Sequence, residues 1–207
     1  MTQSGSQQFP AKSDEESIAE NEYHISLMLR VKKGDIQAFE ELVEIHQGAV
    51  IGTVAKMLGS PNEAEDIAQQ VFVRIWKSAA RYEPQAKFTT WMFTITRNLV
   101  FNEVRRRQRK PTVSADEREE ESNQVVEDND TIRPDQEVLH SELEKAVDEA
   151  IHALPEKQRM AVIMRRYEEL PYEEIGKILK LSVPAVKSLL FRARTQLKEN
   201  LQKYLDA

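Results

Sequence analysis

Residues 111–136 constrain this chain more than any other stretch. They run PTVSADEREEESNQVVEDNDTIRPDQ, rich in glutamate, aspartate, serine and asparagine and nearly devoid of large apolar groups. Such a segment cannot bury enough surface to offset the entropy of ordering it. A structureless stretch of that length is also uncommon inside one compact domain. The segment therefore predicts a flexible acidic linker over 111–136 with a folded unit on either side, at 23–110 and 137–205. Residues 1–22, polar and without apolar period, read as a disordered tail.

Both flanking units have helical periodicity. The first carries Leu27, Leu29, Val31 and Ile36, then Phe39, Leu42, Val43, His46, Val50, Val54 and Leu58 at steps of three and four. Gly59-Ser60-Pro61-Asn62 breaks the pattern, and Ser60 followed by Pro61 marks a new helix start. The next helix buries Ala64, Ile67, Ala68, Val71, Phe72, Ile75 and Ala79 and ends in Arg81–Lys87. A third runs from about Thr89 to Arg109 and stops before Pro111, with Met92, Ile95 and Leu99 as its packing stripe. In the second unit, Glu137–Leu154 is amphipathic through Leu143, Val147, Ala150 and Ile151. Pro155 opens a helix with Met160, Ile163 and Met164; Tyr172–Leu179 and Val183–Leu201 follow. No run of alternating β-branched or aromatic residues suggests a strand. The fold class expected is all-α, as two small helical domains.

Composition excludes several functions. The chain has no cysteine, so it has no disulfide framework, thiolate zinc site or cysteine nucleophile. No window approaches the roughly 18–20 apolar residues of a membrane span, and the N-terminal residues lack the apolar core of a secretory signal. A cytoplasmic protein is expected, not inserted in a membrane. His24, His46, His140 and His152 show no metal-ligand spacing. No phosphate-cradling glycine loop or nucleophile elbow is present. No catalytic residue, metal or cofactor is expected, and no enzymatic activity.

The net charge of −6 argues at first against nucleic acid, but its distribution matters more than its sum. Acid gathers in Asp14–Glu22 and Asp116–Asp130, base in Arg105–Lys110, Arg165–Arg166 and Lys187–Lys198. The last two helices, joined by Lys180-Leu181-Ser182, fit a helix-turn-helix. Ser182 is placed to cap the second of them and Pro184 lies in its first turn. Val186, Leu189, Leu190, Ala193, Leu197 and Leu201 form its packing stripe. Lys187, Phe191, Arg194 and Lys198 share another face, flanked by Ser188, Arg192 and Thr195. Arg and Lys there can reach phosphates or guanine edges, and the ring can touch a thymine methyl. A solvated helix face with one half-buried Phe is the alternative reading.

A second constellation spans Lys87–Lys110. Trp91, Asn98 and Arg105 are seven apart and share a face, with Phe88, Thr89 and Asn102 close by. Rings stack on unpaired bases, amides read their edges, and arginines hold phosphates. The run Arg105-Arg106-Arg107-Gln108-Arg109-Lys110 would follow a duplex backbone. The alternative places Trp91 in the core and leaves the arginines as a dipole-favoured helix end. The helix Asn62–Ala80 has an outer side of Asp66, Gln69, Gln70, Val73, Arg74, Lys77 and nearby Trp76. This side fits either solvent or a docked protein.

Glu65-Asp66-Ile67-Ala68-Gln69-Gln70-Val71-Phe72-Val73-Arg74-Ile75-Trp76 and Phe88-Thr89-Thr90-Trp91-Met92-Phe93-Thr94-Ile95-Thr96-Arg97-Asn98 resemble region 2 of the extracytoplasmic-function (group IV) sigma factors of bacterial RNA polymerase. Leu154-Pro155-Glu156-Lys157-Gln158-Arg159, Tyr172-Glu173-Glu174-Ile175-Gly176 and Val183–Arg194 resemble their region 4. Together the resemblance covers about 23–110 and 137–203. It implies an alternative initiation factor that binds core polymerase and promoter DNA. Asp66, Gln69, Gln70, Val73 and Trp76 would dock on the clamp helices of the largest subunit, and region 4 on the flap. The loop Tyr82–Lys87, with Lys87, Phe88, Thr89, Trp91, Asn98 and Asn102, would capture and melt the −10 element. Arg105, Arg106 and Arg109 would hold its backbone. Lys187, Ser188, Phe191, Arg192 and Arg194 would read the −35 element. An anti-sigma factor is a further partner the family implies, one that could hold the protein at a membrane. Gly176 stands where the family usually has Ala, and Pro184-Ala185 replaces the commoner Gly-Thr. Two rivals remain at this point. One is a helix-turn-helix regulator acting without polymerase; the other is an adaptor that docks on polymerase or an anti-sigma factor and never touches DNA.

Overall fold

The computed structural model describes residues 14–109 and 134–205, and every regular element among them is helical. The first half contains α1 (Asp14–Val31), α2 (Ile36–Leu58), α3 (Pro61–Ser78), a 3-10 turn (Ala79–Arg81) and α4 (Phe88–Arg109). The second contains α5 (Pro134–His152), α6 (Glu156–Arg166), α7 (Tyr172–Leu179), α8 (Val183–Asn200) and the short α9 (Gln202–Leu205).

Two expectations at the edges need correction. Residues 14–22, read as part of a disordered tail, form the first two turns of α1. Acidic groups there favour a helix N-terminus, and the helix is anchored further along by buried His24, Leu27, Met28 and Val31. Pro134–Gln136, assigned to the linker, open α5, with a proline in the first turn where its missing N–H costs nothing. The tail 1–13 and the linker 111–133 lie outside the described residues.

Local chemistry explains the helix boundaries. Gly34 at φ 89° turns the chain between α1 and α2, and the Asp35 carboxylate caps α2 by accepting from the Ala38 N–H at 3.1 Å. Gly59 at φ 67° closes α2 in the left-handed conformation. Pro61 begins α3, as the sequence predicts, with Ser60 as an extended N-cap whose side chain makes no capping bond. In the second half Ser182 caps α8, accepting from the Ala185 N–H at 3.4 Å.

The stripe on α3 and those on α6 and α8 are buried as read from the sequence, apart from the partly exposed Leu197 and Leu201 of α8. Three others are not. On α4 the buried set is Phe88, Thr90, Met92, Phe93, Thr96, Val100, Phe101 and Glu103, while Ile95 and Leu99 are only partly covered. The reason is that α4 is enclosed on several sides, by α1, α2, α3 and α7, so one helical stripe does not describe its core. Leu29, Ile36 and Leu143, read as packing positions, are exposed.

The two halves also pack on each other. One contiguous apolar cluster runs from Leu27 to Leu190 through both, with α7 against α4 and α5 and α6 against α2. Polar contacts stitch this seam. Thr53 donates to Glu168 at 2.9 Å, Arg159 donates to the Met57 carbonyl, and Lys56 faces Asp148 at 3.6 Å and the Tyr167 ring at 4.3 Å.

Beneath the N-terminus of α4 lies a buried ring cluster. His24 and His46 meet edge to face at 4.4 Å, and His46 lies 5.1 Å from the Phe88 ring. Burial, then the neighbouring His24, push His46 down to about 4, against an opposite pull from Glu20. Its Nε2 makes no hydrogen bond among the described residues. Because its folded value lies below the unfolded one of about 6.5, the folded form binds fewer protons. Stability is therefore full above about pH 6.5 and is lost as pH falls toward 4. The expected loss from this group between pH 7 and pH 5 is about 2 kcal/mol. His46→Phe should lose less stability than wild type over that interval in urea titrations; parallel losses would refute the assignment.

Candidate nucleic-acid interface

α7 and α8 form the expected helix-turn-helix. Lys180 closes α7 in the left-handed conformation at φ 56°, and the Leu181 N–H reaches back to the Gly176 carbonyl at 2.9 Å. A Cβ on Gly176 would lie 2.7 Å from the Leu181 carbonyl oxygen. This close approach favours glycine at position 176. Val186, Leu189, Leu190 and Ala193 are buried, which turns Lys187, Ser188, Phe191, Arg192 and Arg194 outward. Lys187, Ser188, Phe191 and Arg192 line one shallow concavity. Phe191 is 71% exposed, not the half-buried ring of the alternative reading. Among the described residues no carboxylate pairs with Lys187, Arg192 or Arg194. A capped helix thus presents an apolar ring amid exposed cations, which suits phosphates and base edges in a major groove.

On α4 the nominated residues sort into different environments. Phe88 is 1% exposed, so its ring is core and supports the surface from beneath. Tyr82, on the neighbouring loop, is as deeply buried, and burial raises its phenol above the ordinary range. Glu83, Pro84 and Gln85 of that loop are exposed. Trp91 stands half-buried at the rim, edge-on to the Tyr82 ring at 5.0 Å and tilted to Phe88 at 6.0 Å. Thr89 beside it is half-buried, while Asn98 and Asn102 are exposed further along. Lys87 pairs with Glu174 at 3.0 Å.

The arginine run divides as well. Arg106 holds Glu103 through two hydrogen bonds, at 2.7 and 2.8 Å. Those bonds, helped by Arg107, keep the Glu103 carboxyl below its usual range despite burial. Arg107 also donates to the Leu58 carbonyl at 3.0 Å and pairs with Glu63, stapling α4 to α2 and α3. Arg105 and Arg109 are exposed and make no ion pair within 4.0 Å among the described residues. Arg97, absent from the nominated set, is half-buried over the Phe101 ring at 5.7 Å, and burial lowers its pKa.

A third surface lies on α3. Asp66, Gln69, Gln70, Val73 and Trp76 are all exposed, with Trp76 leaning on Phe39 of α2 at 5.0 Å. Ile36, one turn before Phe39, is 62% exposed. The apolar part of this face therefore extends onto α2. The sequence reading missed it because Ile36 and Phe39 fall on the same three-four spacing as core residues.

Asn21 was also missed. Its side-chain Oδ1 accepts from the Phe88 N–H at 3.1 Å, capping α4 from a helix 67 residues away. Nothing in the local pattern signals this, since the sequence before Phe88 offers no cap of its own. Asn21→Ala is expected to cost about 1 kcal/mol, read as a lowered urea midpoint. Asn21→Asp should retain the cap, and equal losses in both variants would refute the role.

Comparison with known proteins places these surfaces in context. The family models for Sigma-70 region 2 and Sigma-70, region 4 match residues 42–110 and 144–197. The ECF RNA polymerase sigma factor SigW of Bacillus subtilis is 32% identical over 177 residues, covering 84% of this chain and 94% of SigW. The ECF RNA polymerase sigma-E factor of Haemophilus influenzae is 33% identical over 181 residues, covering 86% and 94%. CnrH, solved in complex with the cytosolic domain of CnrY, matches with a TM-score of 0.63 at 20% identity, over 87% of this chain and 98% of CnrH. The sigma factor RpoE, solved in complex with the anti-sigma factor NepR from Bartonella quintana, matches with a TM-score of 0.61 at 23% identity, over 79% and 96%. At those identities the structural likeness is one of fold.

Proposed function

Because this chain belongs to the extracytoplasmic-function sigma factors of RNA polymerase, we propose that it directs core polymerase to its promoters by the surfaces described above. The observation that carries this reading is the exposed Phe191 within a basic face of α8 that has no carboxylate partner among the described residues. Lys187, Ser188, Phe191, Arg192 and Arg194 read the −35 element from the major groove. Trp91, with Thr89, Asn98 and Asn102, captures a base of the −10 strand, and Phe88 and Tyr82 support it from below. Arg105 and Arg109 hold the adjacent phosphates; Arg106 does so while bound to Glu103. Asp66, Gln69, Gln70, Val73 and Trp76 dock on the polymerase clamp, joined by Ile36 and Phe39. Region 4 rests on the flap.

The chain supplies positioning and strand capture, and the polymerase performs the chemistry. Trapping an unstacked base must offset about a few kcal/mol of unstacking. An aromatic rim over a packed floor suits that task. The likeness to the sigma factor RpoE, solved in complex with the anti-sigma factor NepR, supports an anti-sigma partner here too. Among the described residues no helix is long and apolar enough to cross a membrane, which fits action in the cytoplasm, where polymerase and promoters meet.

Run-off transcription with core polymerase on a randomised promoter library, with and without this protein, tests the reading. The expected result is enrichment of one shared −35/−10 pair among protein-dependent transcripts. Binding to core polymerase without protein-dependent initiation would instead establish a docking adaptor.

A further inference from the structure

Two side chains of the N-terminal helix hold the ends of the loop that leads into α4. Lys32, one residue past α1, donates from Nζ to the Tyr82 carbonyl at 2.9 Å. Asn21 Oδ1 accepts from the Phe88 N–H at 3.1 Å. The Lys32 N–H still reaches the Met28 carbonyl at 2.9 Å, so the helical register of α1 continues through it. Positions 21 and 32 are eleven residues apart, about three helical turns and about 16 Å, and so lie on one face. Met28 is buried between them on that face, with His24 beside it, 6.1 Å from the Phe88 ring.

The loop itself has little to keep it in one form. Glu83, Pro84 and Gln85 are exposed. The Gln85 N–H and side chain both turn back to Glu83, each at 2.8 Å, which shapes the tip but ties it to nothing else. A segment with few buried contacts opens cheaply, so its conformation depends on what grips its ends. Tyr82, at one end, supplies the ring that Trp91 meets edge-on at 5.0 Å. Phe88, at the other, begins the helix that carries Trp91. Fixing both ends on one rigid helix fixes where the exposed tip stands relative to Trp91.

We propose that Lys32 and Asn21 are positioning residues for −10 selectivity, a role that rests on the −10 assignment above. In this role α1 is a splint that holds the Tyr82–Lys87 loop in the form that discriminates between captured bases, and neither residue touches the strand. Both lie ahead of residues 42–110, the span matched by the region 2 model. A recognition site must hold its groups within about 0.5 Å of the productive geometry, and a preformed site spends less of its binding free energy on ordering.

Since the chain has no cysteine, a nitroxide at Gln85→Cys, an exposed position, reports the motion of the loop in the full chain. Lys32→Met should shift its spectrum toward the fast component, and Lys32→Arg, which keeps a long cationic donor, should restore it. The functional readout is run-off transcription by the unlabelled variants, on the library-selected promoter and on versions changed at single −10 bases. Lys32→Met should reduce the preference for the selected base about tenfold, the effect of losing one charge-assisted hydrogen bond, with −35 preference unchanged. Asn21→Ala should act in the same direction, and Asn21→Asp should recover. An unchanged spectrum in Lys32→Met overturns the proposal, and so does a mobile loop with full −10 preference. A loss equal for every −10 sequence, with a still loop and a weaker salt dependence, overturns it too and makes Lys32 a direct phosphate contact. Trp91→Ala on the same templates separates the two levels. Wild-type initiation by Trp91→Ala removes the −10 assignment and the splint with it; a loss there beside full preference in Lys32→Met removes the splint alone.

Discussion

Promoter-specific initiation is expected to fall about a hundredfold when Phe191 and Arg192 are both replaced by Ala, with no loss of fold. Each base or phosphate contact of this kind contributes about 1–3 kcal/mol, and two together give about 3 kcal/mol, or roughly a hundredfold. Stability should hardly move. Phe191 is 71% exposed and Arg192 points to solvent with no partner among the described residues, so removal of either side chain leaves no cavity. Surface changes of this type usually stay within about 0.5 kcal/mol. The measurement is run-off from the library-selected promoter, alongside a urea titration of the same preparation. Wild-type initiation by the double variant would remove α8 from promoter reading. A parallel drop in the urea midpoint would show that the ring carries packing energy instead.

The second large effect separates two neighbours that a helical wheel treats alike. Phe88→Ala is expected to destabilise the chain by about 4 kcal/mol, because it empties a fully buried position under His46, Tyr82 and Trp91. Trp91→Ala, at a half-exposed rim, should cost about half as much and still abolish use of the −10 element. On a template whose −10 stretch is left unpaired, Phe88→Ala should recover activity at low temperature, where it stays folded. Trp91→Ala should recover only in part, since the stacking partner itself is gone. Equal stability losses for the two would mean that Trp91 is core and that the strand is captured elsewhere.

The contrast between Phe88 and Trp91 also shows where sequence reasoning stops. Both are aromatic, both sit in the first turn of α4, and both were nominated as DNA contacts. Which of them faces outward depends on Tyr82, His24 and His46, groups on three other segments. The arginine run behaves the same way: six consecutive polar residues look equivalent until Glu103, Glu63 and the Leu58 carbonyl claim Arg106 and Arg107. The first turns of α1 were misread because their acidic composition resembles a solvated tail. Their order rests on anchors later in the same helix and on the neighbouring α2 and α4.

Features that obey local rules were legible from the residues alone. The all-helical class, the starts at Pro61 and Ser182, the stripes of α3 and α8 and the outward basic face of α8 follow from a 3.6-residue period and from caps a few residues apart. These depend on chain neighbours, and the sequence displays chain neighbours directly. The family resemblance, carried by the same stretches, was legible for the same reason. Only the tertiary structure decided that Asn21 caps α4 from another helix, that Phe88 is buried while Trp91 is half-exposed, and that Glu174 sits on Lys87 and Thr90. Those outcomes turn on pairs separated by 67 and 84 residues. Their partners are chosen by how the helices pack, which no local period encodes.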